Sequence, residues 1–313
     1  MPRALAAEAA TIAYGSSGYT WALAFLAEGI GAWQKQGVEL AALDFPTGRE
    51  SMQALLGNSA QFATSTDTPV VFAALSGLKP CIVASYSRYT RDMVIVAREG
   101  AEIRADDPAS LKGKRIATRV GTSGQYMLSR YLTMGGLKDA DVTVIDLSPA
   151  DMTSAALRGD IDGFSWTSQA AAIAVEAGQG QLFTMTQEGL EAHFRSHQLL
   201  LTNETTLAQK PQLVTAGIKA LLEAEQYMKD NANWADIIAP RVKAEPKFID
   251  EMTSVFDFSV RFDDRFVSDL VAQMEWAVQA GLGQKPDKPL EQIALDLIRA
   301  DTLGQVEAGR VNI

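Results

Sequence analysis

The chain has 313 residues, a net charge of −10, 47% apolar and 21% charged residues, a balance that excludes disordered, collagenous and coiled-coil chains. At about 150 residues per domain the length accommodates roughly two domains. Twenty-eight Lys and Arg against 38 Asp and Glu would repel a polyphosphate backbone, which argues against nucleic acid as a partner.

The opening MPRALAAEAA lacks the apolar region of a secretory signal, yet its Ala-Leu-Ala is the kind of segment left around a cleavage site. An exported, periplasmic chain whose signal has been removed is therefore expected. Strand-forming runs then alternate with amphipathic helical stretches, the pattern of mainly parallel sheets with crossover helices in an α/β fold. TIAYG (11–15) leads through Gly15-Ser16-Ser17-Gly18-Tyr19-Thr20 into a helix. VELAALDF (38–45) leads into Pro46-Thr47-Gly48-Arg49-Glu50, where Thr47 and Glu50 have capping-box spacing. AQFATS (60–65) leads into Ser65-Thr66-Asp67-Thr68-Pro69, with Pro69 expected at the first helical position. CIVASYS (81–87) follows; its Cys81 is the single cysteine and cannot close an internal disulfide.

A polar stretch with Arg88, Thr90, Arg91 and Asp92 opens a second set of strands: DMVIVA, KRIATRV, VTVIDL and IDGFSW. KRIATRV leads through Gly121-Thr122-Ser123-Gly124-Gln125-Tyr126 into another helix. QLLLTN (198–203) returns to the first set, and from Pro211 the spacing of Val214, Ile218, Leu221 and Leu222, then of Phe266, Leu270 and Met274, is helical. The expected organisation is lobe 1 from 11–87 and 201–313, lobe 2 inserted at 88–200, and paired crossovers near 86–91 and 197–203 forming a hinge. No run approaches the ~20 apolar residues of a bilayer span.

Four helix starts thus follow strand ends, the edge where open α/β sheets bind ligands. Each offers unpaired N–H groups and a positive dipole end, and added hydroxyls make it a receptor for oxygen-rich anions. One dipole end contributes about 0.3–1 kcal/mol, up to ~2 when partly buried. Micromolar affinity needs about −8 kcal/mol, so several starts must converge on a closed cleft. Taken singly, each is better read as an ordinary capped helix, and the argument for a ligand rests on their repetition. Among the aromatics near loops, Tyr19, Tyr126 and Trp166 adjoin strand ends, whereas Trp21 and Phe164 read equally as core. Arg49 and Arg119 lie beside the loops, as solvated cations or as partners of an acid. His193 and His197, the only histidines, have the spacing of one helix face, but no third histidine exists and no metal site is expected. The dinucleotide, P-loop and nucleophile-elbow motifs are absent, and no cofactor is expected.

The segment IAYGSSGYTWALAFLAEGIGAWQKQGVELAALDFPTGRESMQALLGNSAQFATSTDTPVVFAALSG resembles the opening of the alkanesulfonate, taurine and nitrate solute-binding proteins of ABC importers. ASLKGKRIATRVGTSGQYMLSRYLTMGGLKDADVTVIDLSPADMTSAALRGDIDGF resembles their second lobe, through its LKGK entry, G-x-x-x-x-Y helix start and L-x-P-x-D segment. The resemblance covers residues 11 to 180. It implies a two-lobed type II periplasmic-binding-protein fold with a helical C-terminal region, closing on a small solute and delivering it to a permease as a monomer. Carried over by position, it implies ligand contacts from Ser16, Ser17, Gly18, Tyr19 and Thr20, from Thr47, Gly48 and Arg49, and from Ser65, Thr66 and Asp67. It implies further contacts from Ser85 and Tyr86 and from Gly121, Thr122, Ser123, Gly124, Gln125 and Tyr126. After the Gly-Asp-Ile-Asp-Gly turn many members carry Trp or an acid followed by proline. Here Thr167, Ser168 and Gln169 stand there, with Trp166 one place earlier, which leaves the ligand's identity open.

The leading expectation is a non-enzymatic receptor for a small organic anion, a sulfonate, taurine-like solute or carboxylate. The alternatives are a binding protein for a thiamine-precursor pyrimidine or other heteroaromatic, a pyrimidine synthase on the same fold, and the sensing half of a transcription regulator. The synthase needs a cofactor lysine and a histidine in the cleft. The regulator needs a helix-turn-helix domain before the first strand, where ten residues precede Thr11.

Overall fold

The computed structural model describes residues 7–15 and 18–313. The chain runs through β1 (Glu8–Gly15), α1 (Ala22–Gly29), the single turn α2 (Ala32–Lys35), β2 (Val38–Phe45), α3 (Gly48–Leu56), β3 (Phe62–Thr66), α4 (Asp67–Leu75) and β4 (Cys81–Tyr89). It continues through β5 (Met93–Arg98), β6 (Arg115–Thr118), α5 (Ser123–Met134), β7 (Thr143–Asp146), α6 (Pro149–Arg158), β8 (Gly163–Thr167), α7 (Ser168–Gly178) and β9 (Leu182–Thr184). β10 (Ser196–Thr202) is followed by α8 (Glu204–Gln209), α9 (Pro211–Asp230), α10 (Trp234–Val242), α11 (Pro246–Thr253), β11 (Phe256–Asp257), α12 (Phe266–Gln279), α13 (Leu290–Leu297) and α14 (Asp301–Val306).

Two compact units result. Unit 1 holds the described residues up to Arg88 together with His197–Ile313, and unit 2 is Tyr89–Ser196. The six-stranded sheet of unit 1 has the order β11-β4-β10-β3-β1-β2, and the five-stranded sheet of unit 2 the order β7-β6-β8-β5-β9. Both sheets are mixed, an outcome the alternation alone did not foretell. β1 pairs in parallel with β2 and β3, but β10 is antiparallel to β3. In unit 2 β6 pairs in parallel with β7 and β8, whereas β5 is antiparallel to β8 and β9. The antiparallel strands β5 and β10 are the first of unit 2 and the one that re-enters unit 1, where no crossover helix precedes them to turn the strand parallel.

Burial follows position in the sheet. Every residue of β3, β4 and β10 is buried, as expected of strands covered by helices on both faces, while the edge strand β2 is largely exposed. The long α9 starts with Pro211, whose missing N–H is no loss in a first turn, and buries Leu213, Val214, Ile218 and Leu221 at helical spacing. In unit 2, Phe164 and Trp166 of β8 pack with Val96, Met152, Ala156 and Ala174 in one core cluster. Phe164 is thereby a core residue.

Candidate functional site

In unit 1, three of the segments singled out in the sequence come together at Gly48, with the Trp21 indole against two of them. A Cβ on Gly15, the last residue of β1, would lie 2.6 Å from Gly48 N and 2.9 Å from Trp21 Cζ2. A Cβ on Gly48, the first residue of α3, would lie 2.9 Å from Ser65 Cα and 3.0 Å from Trp21 Cη2. Real Cβ contacts to backbone are not made at such distances, so this approach of β1, α3 and β3 requires glycine at both positions. The Gly15 N–H donates to Thr64 Oγ1 at 3.1 Å, and Ser51 Oγ donates to the Thr64 carbonyl at 2.5 Å. Thr47 caps α3: its Oγ1 accepts the Arg49 N–H at 3.1 Å and donates to the Glu50 carboxylate, as the spacing led one to expect. Ser65 Oγ donates to the Thr66 carbonyl at 3.1 Å.

α4 begins at Asp67, so Pro69 is the third helical residue and not the first. It is tolerated because its absent N–H still falls among the first four, which have no intrahelical acceptor. Asp67 is fully buried. Its Oδ1 accepts the Thr68 N–H and its Oδ2 the His197 N–H, both at 3.0 Å. His197 lies on β10, not on a helix face shared with His193, which follows the turn Leu190–Ala192; strand pairing with β3 overrides the i, i+4 spacing. The imidazole of His197 is buried between Ser85 Oγ, 3.2 Å from Nδ1, and Asp269 Oδ2, 2.9 Å from Nε2, with Phe266 edge-on at 4.9 Å. Among the described residues no group of three His, Cys, Asp or Glu could hold a metal ion.

The remaining candidates of unit 1 are placed as follows. Gly18, Tyr19 and Thr20 form a 3₁₀ turn with Trp21, and the Tyr19 ring stands edge-on to Phe248 and Phe256 at 6.4 and 6.2 Å. Tyr86 is fully buried on β4, and burial pushes its phenol well above the usual range. Ser16 and Ser17 lie outside the described residues. Cavities of about 490 and 390 Å³ around Lys285–Leu290 are lined by none of these residues.

In unit 2 the start of α5 is pressed onto the ends of β6 and β8. A Cβ on Gly124 would lie 2.8 Å from Thr118 Oγ1 and 3.1 Å from both the Ser165 carbonyl and Trp166 Cε3. Ser165 Oγ donates to the Gly124 carbonyl at 2.7 Å, and Ser123 Oγ lies 3.1 Å from Ser196 Oγ. Gly121 N–H donates to Gln125 Oε1 at 2.8 Å, and Thr122 Oγ1 to the Arg119 carbonyl at 2.7 Å. Tyr126 tilts against Phe194 at 5.7 Å, with the Arg130 guanidinium over its ring at 5.3 Å. Thr167 caps α7 by accepting the Ala170 N–H at 3.4 Å, and Ser168 Oγ donates to Asp92 Oδ1 at 2.6 Å. Arg119 is paired with Asp146 at 3.1 Å.

The helix starts differ in charge. α3 and α4 carry Glu50 and Asp67 in their first turns, which offset the positive dipole end, whereas α5 has no acid there and its N-cap Thr122 makes no side-chain cap bond. Sequence reasoning left two features unseen: the packing of Trp21 against Gly15 and Gly48, and the reach of Asp269 to His197. Both depend on contacts between residues distant in the chain. A signal for the first existed in the two glycines that end β1 and start α3.

The family model described as NMT1/THI5 like matches residues 21–235. The chain belongs to the NMT1/THI5-like family. Among relatives, an aliphatic sulfonates-binding protein of Escherichia coli is 28% identical over 141 residues, 45% of this chain and 44% of that protein. A binding protein of Brucella abortus is 30% identical over 218 residues, 69% of this chain and 66% of that protein. The matches thus span from under half to about two thirds of these relatives' length. The alkanesulfonate-binding protein SsuA from Xanthomonas axonopodis pv. citri, solved bound to MOPS, superposes with a TM-score of 0.78 over 95% of this chain and 100% of that one, at 20% identity. The fold is therefore that of the periplasmic binding proteins.

Proposed function

We propose that this chain is the solute-binding component of an ABC importer. In this reading it is exported to the periplasm, takes a small organic anion (a sulfonate, a taurine-like solute or a carboxylate), leaves it chemically unchanged, needs no cofactor, and hands it as a monomer to a membrane permease. The observation that best supports this is the start of α5, a strand-end helix start with no acid in its first turn, set on Thr118 and Ser165, in a family whose relatives are named as binding proteins. Contacts from the loops around Gly15, Gly48 and Ser65 in unit 1 and Gly121–Tyr126 in unit 2, and closure about the crossovers near 86–91 and 197–203, belong to the same proposal. A thermal-shift panel of taurine, alkanesulfonates, nitrate, aromatic carboxylates and pyrimidines tests it. At a hundredfold excess over Kd a ligand stabilises by about 2.7 kcal/mol, which raises the melting temperature by several degrees. One or more anions are expected to do so, and no shift with any of them contradicts the reading.

A second outcome of the same panel points to a heteroaromatic solute instead. A shift with pyrimidines and none with anions selects it. The synthase reading is tested by looking for pyridoxal Schiff-base absorbance in the purified protein, and its absence is expected.

A further inference from the structure

We propose that Trp21 is a solute-reading residue of unit 1, its indole N–H being the donor that meets an acceptor oxygen of the anion; this rests on the reading of the chain as a solute-binding protein. Trp21 closes the 3₁₀ turn after the β1 loop and is 3% exposed. Its Cζ2 and Cη2 atoms face Gly15 and Gly48, where any side chain would strike the ring. On an indole, the N–H and the C–H at Cζ2 project from the same edge. Cζ2, bonded to the ring carbon that bears Nε1, is the indole atom that a Cβ on Gly15, at the end of β1, would meet.

Nε1 is buried and has no hydrogen-bond partner among the described residues. An indole nitrogen only donates, so no rotation or tautomer can satisfy it, and an unpaired buried donor is destabilising until an acceptor arrives. The hydroxyls of α3 and β3 and of the α3 cap, in the same unit, are differently disposed. Thr47 donates to Glu50, Ser51 to the Thr64 carbonyl and Ser65 to the Thr66 carbonyl. With their protons committed to the protein, these groups present lone pairs, which an oxyanion avoids. Trp21 presents a proton. The chemistry that fits is a sulfonate or carboxylate oxygen.

The test uses the full chain and titrates taurine, ethanesulfonate, nitrate and benzoate calorimetrically into wild type and Trp21→Phe, which keeps an aromatic ring and removes the N–H. The expected result is a variant that folds, with Kd for the tightest of these anions at least tenfold weaker, equivalent to about 1.4 kcal/mol. An unchanged Kd in the folded variant overturns the assignment. If the variant does not fold, the wild-type indole N–H resonances decide. The Trp21 signal is assigned by elimination with Phe at Trp33, Trp166, Trp234 and Trp276, the other four tryptophans. A downfield shift at saturation is expected, and an unmoved signal overturns the assignment. Binding of none of the four anions by wild type overturns the solute-binding reading itself, and this assignment with it.

Discussion

A methyl group is the smallest probe of the junction at Gly15 and Gly48. In Gly48→Ala the new carbon would lie 2.9 Å from Ser65 Cα, a backbone atom, so neither partner can yield by changing rotamer. Overpacking of this kind typically costs about 1–3 kcal/mol, and the variant is expected to unfold at lower denaturant with an unchanged m-value. Gly309→Ala, where nothing lies within 4 Å of the added carbon, serves as the control and should stay near wild type. An unchanged midpoint for Gly48→Ala would show that the junction is open. At this scale the sequence was legible where the chemistry is local. Thr47 and Glu50 are three residues apart and their bond was foreseeable, whereas His197 meets Asp269 72 residues away and Ser85 112 residues away, separations that no periodicity encodes.

At the scale of elements, the join between β6 and β8 carries a pH dependence. Arg115 at the start of β6 donates to Asp162 from its backbone N–H at 2.9 Å and from Nη2 at 2.8 Å. Arg115 side-chain bonds, ahead of opposing desolvation, hold the Asp162 carboxyl below its usual value. A carboxyl lowered in the folded state contributes stability that is present above its unfolded value near ~3.9 and is lost as pH falls through the lowered folded value. Asp162→Asn should therefore be less stable than wild type at pH 7, and the gap should narrow as the medium is acidified through that window. A gap that is constant from pH 7 to pH 2 by thermal unfolding would contradict the role given to this pair. Strands such as β3, β4 and β8 were readable from their β-branched and aromatic content. β9 and β11, three and two residues long, offer no period to read, and β1 reaches back to Glu8 only because its register pairs Glu8 with Val38.

For the whole molecule, alternating strands and helices gave the α/β class, and the helical tail was legible from Pro211 onward because long amphipathic stretches repeat their apolar spacing many times. The mixed character of the sheets was not, since strand direction is set by where the chain enters and leaves each unit. The net charge of −10 does not oppose an anionic solute. Exposed charges are screened beyond about 8–10 Å in physiological salt, whereas helix starts and buried donors act at contact distance. One helix start supplies at most ~2 kcal/mol, so micromolar binding, about −8 kcal/mol, requires several such groups acting on one solute. Isothermal titration of the refolded, ligand-free full chain with sulfonates, taurine, nitrate and carboxylates measures this most directly. One-to-one saturation at micromolar Kd or tighter by at least one anion is the expected result; a folded protein that gives no binding heat with any of them, at more than one temperature, would contradict solute capture.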